Sequence, residues 1–195
     1  MSKNEETTRE RILTAALALF AQQGIGKTSL DEVAYQAGVT RVTVYRHFAD
    51  KKDLVEQTFL HVERVFQDAL DGLDEQPTLD DWQDAMARVG RRLSALPRAD
   101  VFARTDELRR LYPDVYAAVQ GVRADALNGM FDRFFDMAER QDLLRPGINR
   151  PFVQHLYWML TVHLFENPEF RSFGLSDAEL YQMVTDILLH GVLKG

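Results

Sequence analysis

Residues 29–52 read SLDEVAYQAGVTRVTVYRHFADKK, and this stretch decides the fold. Ser29-Leu30-Asp31-Glu32 has the spacing of a capping box, in which a serine and a glutamate three residues later satisfy each other's backbone N–H groups at a helix start. Leu30, Val33, Ala34 and Ala37 then recur with helical period, and Gly38 stops the run. Thr40 opens a second short helix that reaches about Phe48, and Asp50-Lys51-Lys52-Asp53 opens a third. Arg41–Tyr45 is rich in β-branched residues, but it lies just after one helix and before another with no partner strand, so helix is expected. Two short helices joined by Gly38-Val39-Thr40 make a helix-turn-helix, whose second helix is offered to the major groove of DNA.

At about 100° per residue, Val44 and Phe48 share the face that packs on Val33, Ala34 and Ala37. Val42, Thr43 and Arg46 fall opposite, with Tyr45 and His47 on the flanks. A face turned only to water has little use for Val42 and Tyr45. A face meeting DNA uses both, because an aliphatic group touches a thymine methyl and a phenol reaches a phosphate. Arg46 can fork onto a guanine edge or neutralise a phosphate. Charge agrees with this placement. The 17 residues between Glu32 and Asp50 contain no carboxylate, and residues 1–53 hold 8 Lys/Arg against 7 Asp/Glu, whereas residues 54–195 hold 15 against 23. The net charge of −7 therefore sits outside the N-terminal segment. The competing reading is an ordinary helix pair with solvated basic residues.

Outward from this unit, the pattern is helical throughout. A first helix covers about Thr8–Gln23, opened by the capping-box spacing of Thr7-Thr8-Arg9-Glu10. A fourth runs from about residue 50 to 73. Further helices are expected at Leu79–Leu96, Asp100–Leu111, Asp114–Gln141, Pro151–Glu166 and Ser176–Leu193, punctuated by Pro97, Pro113, Pro146-Gly147 and Pro168. The expectation is an all-α chain of about nine helices, with a helix-turn-helix domain over 1–53 and a helical bundle domain over 74–195. A length of 195 residues with 46% hydrophobic and 27% charged residues suits one large or two small globular domains. Cysteine is absent, no apolar run approaches the ~18 residues of a membrane span, and the first residues are polar and acidic. These features point to a cytoplasmic protein without disulfides or membrane contact.

From Arg9 to Phe59 the chain resembles the tetracycline-repressor (TetR) family of bacterial transcriptional regulators. The resemblance rests on Ile12-Leu13, Ala15-Ala16, Leu19-Phe20 and Gly24 in helix 1, and on Thr28-Ser29-Leu30, Val33-Ala34 and Ala37-Gly38-Val39. It continues through Thr43-Val44-Tyr45, His47-Phe48, Lys51 and Leu54, and the run Val44–Lys51 is its most specific part. It implies that Tyr45, His47 and Lys51 hold phosphates together with Thr28 and Ser29, while Arg41, Val42, Thr43 and Arg46 read or line the groove. It also implies a homodimer on a palindromic operator, released by a small-molecule effector, with neither cofactor nor catalysis.

The remaining two-thirds carries no comparable motif. Phe152, Leu156 and Leu160 give one late helix a broad apolar face, and Leu180, Met183, Ile187 and Leu188 do so for the last, so a dimer contact is expected there. Trp82, Met86, Phe102, Tyr112, Tyr116, Phe134 and Trp158 together are candidates for an apolar effector pocket, although for each alone a core position is favoured over ligand contact. Gly24-Ile25-Gly26-Lys27-Thr28-Ser29 evokes a phosphate loop, but it lacks the first glycine, because residue 21 is alanine, and it follows a helix rather than a strand. His155, His163 and Glu166 make no metal set beyond a single pair. Two rivals from other classes are an all-α enzyme and a helical interaction module.

Overall fold

The computed structural model of the chain describes residues 3–71, 73, 76–95, 104–166, 169 and 172–194. Nine helices occur among them: α1 Lys3–Gln23, α2 Leu30–Ala37, α3 Arg41–His47, α4 Lys51–Asp71, α5 Leu79–Ala95, α6 Thr105–Leu111, α7 Pro113–Arg140, α8 Arg150–Glu166 and α9 Asp177–Val192. The described residues form no strand, only an isolated bridge between Leu144 and Leu193. Arg41–Tyr45 is helical, as expected. Helix α1 starts at Lys3 rather than Thr8. The residues before Thr7 include Glu5 and Glu6, which a helix N-terminus favours, so the threonines fall inside the helix and not at its cap. Phe102 and residues 100–103 of the expected sixth helix lie outside the described residues.

The chain divides into two compact units, and neither is one continuous stretch. The first combines Met1–Glu63 with Pro97–Gly121, and the second combines Arg64–Leu96 with Val122–Gly195. Helices α4 and α7 therefore contribute residues to both units. In the first unit, Ile12, Leu13, Ala16, Leu17 and Phe20 of α1 are buried with Val33, Ala34 and Ala37 of α2 and with Val44 and Phe48. The Arg9 guanidinium lies 5.6 Å from the centre of the Phe48 ring and bonds Gln57 Oε1 at 2.6 Å. Arg11 donates to the Ala37 carbonyl at 2.5 Å, at the end of α2. From beyond the head, Leu108 of α6 and Val115 and Val119 of α7 are buried in this same unit.

The second unit has an aromatic core. Trp82 of α5 meets Phe134 of α7 at 5.2 Å between ring centres, and Phe131 meets Tyr157 of α8 edge-on at 4.5 Å. Tyr181 of α9 is buried and donates its hydroxyl to Met86 Sδ at 3.0 Å. Burial pushes the Tyr157 phenol up to about 12 despite its 3.4 Å contact with Thr185 Oγ1. The connection between α7 and α8 is clasped to the end of α9: the Arg145 N–H donates to Val192 O, and the Lys194 N–H donates to Leu143 O. No helix among the described residues is long and apolar enough to cross a membrane, and no group of three or more His, Asp or Glu among them could hold a metal ion.

Candidate nucleic-acid interface

The α2–turn–α3 unit is built by its caps. Ser29 Oγ accepts from the Glu32 N–H, and the Glu32 carboxylate accepts from the Ser29 N–H at 2.7 Å, which completes the capping box. These bonds to Ser29 hold the Glu32 carboxyl below its ordinary value. Gly38 then takes a left-handed conformation (φ +65°), and the N–H groups of Gly38 and Val39 close on the Tyr35 and Ala34 carbonyls. A Cβ at that φ is strained, which is why glycine turns the chain here. Thr40 caps α3 by accepting from the Thr43 N–H at 3.1 Å.

With Val44 and Phe48 buried, the rest of α3 is turned outward. Val42 is 79% exposed and Tyr45 45% exposed, beside exposed Arg41 and Arg46 and the half-buried Thr43 and His47. Arg41 is held on this surface. One guanidinium nitrogen donates to Asp31 Oδ2 at 2.9 Å and another to the Tyr45 hydroxyl at 3.3 Å, while the guanidinium lies 5.5 Å from the centre of the Tyr45 ring. The Tyr45 hydrogen bond, then the Asp31 charge, raises the Arg41 pKa further. Lys51 Nζ donates to the Gly26 carbonyl at 3.1 Å, and partial burial lowers its pKa.

Two expected phosphate contacts are placed differently. Thr28 is 2% exposed, and its hydroxyl donates to the Gly24 carbonyl at 2.8 Å, so its side chain serves the turn rather than the surface. Ser29 is exposed, but its hydroxyl faces the Glu32 carboxylate at 2.7 Å, which already occupies this helix start. The glycine-rich stretch set aside as a nucleotide loop does grip an oxyanion, from within the chain. The N–H groups of Ile25 and Gly26 each donate to the Glu107 carboxylate of α6 at 3.0 Å. Gly24 (φ +97°) makes room for it: a Cβ there would lie 2.9 Å from Glu107 Oε2. Sequence reasoning missed both Asp31 and Glu107. Each reads as an ordinary first-turn acid, with no local signal of a partner 10 or 82 residues away.

The aromatic candidates of the C-terminal region are not all brought together. Trp82, Met86 and Phe134 are buried in the second unit, where Trp82 meets Phe134 and Met86 meets Tyr181, Trp158 stacks on His155 at 6.0 Å, and Tyr112 and Tyr116 belong to the first unit. A groove of about 690 Å³ instead lies along α8 and α9, lined by Leu156, Leu160, Phe173, Leu180, Met183 and Ile187 among others. Leu180, Tyr157 and Val192 are among its buried members. Phe152 (66% exposed) and Ile187 (67%) are apolar and open to solvent.

Residues 12–58, which carry the whole helix-turn-helix, match the family described as "Bacterial regulatory proteins, tetR family". Through this head the chain resembles the TetR family. The chain is 54% identical over 52 residues to the HTH-type transcriptional regulator AcrR of Shigella flexneri, a match covering 27% of this chain and 24% of that protein. The chain thus aligns with about a quarter of the length of such curated relatives. Over its full length it shares the fold of TetR-family structures. The fatty acid degradation regulator FadR of Bacillus halodurans superposes with a TM-score of 0.72 at 17% identity, covering 94% of this chain and 95% of that one. NalD, described as the secondary repressor of the MexAB-OprM multidrug efflux pump in Pseudomonas aeruginosa, superposes at 0.63 with 25% identity, covering 97% and 98%.

Proposed function

We propose that this chain is a DNA-binding transcriptional regulator of the TetR kind, a repressor that holds a palindromic operator as a homodimer and leaves it when a small molecule binds. The observation that carries the reading is the outward face of α3. Val42, Tyr45, Arg41 and Arg46 stand exposed together, on a segment free of carboxylates from residue 33 to 49. Water alone does not favour such a face, whereas base edges and sugar-phosphate do. The acidic remainder repels DNA elsewhere and so confines binding to the heads. NalD, similar over nearly the whole chain, is a repressor, which supports the sign of the regulation.

The dimer contact is assigned to α8 and α9. Phe152, Leu156, Leu160, Met183 and Ile187 are each at least 40% exposed there, and a self-complementary contact about a two-fold axis covers such a face. Two heads then meet half-sites about one helical turn apart, ~34–36 Å. An effector that prefers another spacing weakens DNA binding by its differential affinity, and DNA weakens the effector reciprocally. Helices α4 and α7, with residues in both units, are the covalent route for that coupling. The test is binding of the purified chain to palindromes in the DNA beside its own gene. Selective, salt-sensitive binding supports the reading, and equal weak binding to all duplexes sinks it.

A further inference from the structure

We propose that Asp31 is a positioning residue that aims Arg41 at a guanine, so that each half-site of the bound DNA carries a G·C pair opposite Arg41. The proposal rests on the DNA-binding reading above and adds to it a residue of α2 and the identity of a base. Its observation is the way an exposed arginine is fixed. Arg41 and Asp31 have side chains 58% and 62% exposed, yet the guanidinium makes three contacts at once: Asp31 Oδ2 at 2.9 Å, the Tyr45 hydroxyl at 3.3 Å and the Tyr45 ring at 5.5 Å. An exposed ion pair contributes little to stability. Its effect is directional: it removes the rotamer freedom that binding must otherwise remove.

Three arguments send that fork to a base rather than to a phosphate. Arg41 is the first residue of α3, and helix-turn-helix recognition helices contact base edges with their N-terminal residues. A guanidinium has five N–H donors, and Asp31 and Tyr45 use two, so three remain and a bidentate bond to guanine O6 and N7 needs only two of them. The third argument is charge. A phosphate oxygen placed on Arg41 lies close to the Asp31 carboxylate and is repelled by it, whereas guanine presents neutral acceptors. The Asp31 carboxylate therefore tunes Arg41 away from sequence-independent binding.

The experiment uses the full chain and selects binding sites from random duplex DNA, followed by titration of the selected site at several salt concentrations. The wild type is expected to enrich a symmetric site with a fixed guanine in each half. Arg41→Lys keeps the charge but not the fork, so it should lose discrimination at that guanine, roughly 5- to 150-fold, with an unchanged salt slope. Asp31→Asn should weaken the same preference and steepen the salt slope by about one unit, because the released guanidinium turns to a phosphate. In an Arg41→Ala background, Asp31→Asn should no longer alter base preference. If Asp31→Asn keeps the wild-type guanine preference and slope, the positioning role is overturned while a selected symmetric site leaves the regulator reading standing. A wild type that enriches no site overturns both.

Discussion

Arg46 and Arg41 carry the same charge on the same short helix, but their surroundings differ. Among the described residues Arg41 is tied to Asp31 and Tyr45, whereas Arg46 makes no ion pair and points outward. Arg46→Ala is expected to cost about 1–3 kcal/mol on the operator and less on random DNA. An equal loss on both, read from binding curves at one salt concentration, would make it a phosphate contact instead. Glu107 acts at the same scale. Its carboxylate takes two backbone N–H bonds from Ile25 and Gly26, so Glu107→Ala leaves two donors without their partner. The expected loss is about 1–3 kcal/mol of stability, seen as a lower denaturant midpoint. An unchanged midpoint would show that water replaces the carboxylate without cost. Neither pairing was legible beforehand, because a partner far away in sequence leaves no trace in local spacing.

Elements were more readable, and the caps show why. Ser29-Leu30-Asp31-Glu32 and Ser176-Asp177-Ala178-Glu179 both form complete capping boxes, since each needs only four consecutive residues. Thr7–Glu10 has the same spacing but lies inside α1, because residues from Lys3 onward continue the helix. Ser29→Ala should cost about 1 kcal/mol through loss of the cap. The pH dependence follows from Glu32, whose pKa its bonds to Ser29 lower from 4.5. A carboxylate lowered on folding stabilises the fold above that value and loses its contribution as pH falls through it and below. The wild type should therefore lose stability on acidification more steeply than Ser29→Ala, and thermal melts between neutral pH and pH 3 compare the two. Parallel curves would remove Glu32 from the account of acid stability.

At the scale of the whole molecule, the exposed face of α8 and α9 is the proposed dimer contact. Ile187, 67% exposed, is set in an apolar groove, so a carboxylate there has water around it in the monomer and none in a dimer contact. Burying it unpaired typically costs several kcal/mol. Ile187→Asp is expected to give folded monomers whose operator affinity falls by roughly 10²–10⁴ through lost bivalency. Light scattering checks this, and a wild type that runs at 22.4 kDa at micromolar concentration would remove the dimer from the model of function.

The sequence by itself determined the helices, the capping boxes at Ser29 and Ser176 and the helix-turn-helix, because helical period, capping spacing and a turn glycine act within a few residues. It also set the outward face of α3, once burying Val44 and Phe48 left Val42, Tyr45 and Arg46 no other direction. Tertiary structure decided what depends on residues distant in the chain. Residues 97–121 join the head rather than the C-terminal unit, because Leu108, Val115 and Val119 are buried there and Glu107 fits the amides beside Gly24. Thr28 turned inward for a similar reason, its hydroxyl satisfying the Gly24 carbonyl in a buried turn. Trp82 and Phe134 became packed core, and an open groove formed at α8 and α9 instead, because which apolar faces find cover depends on how helices far apart in sequence meet.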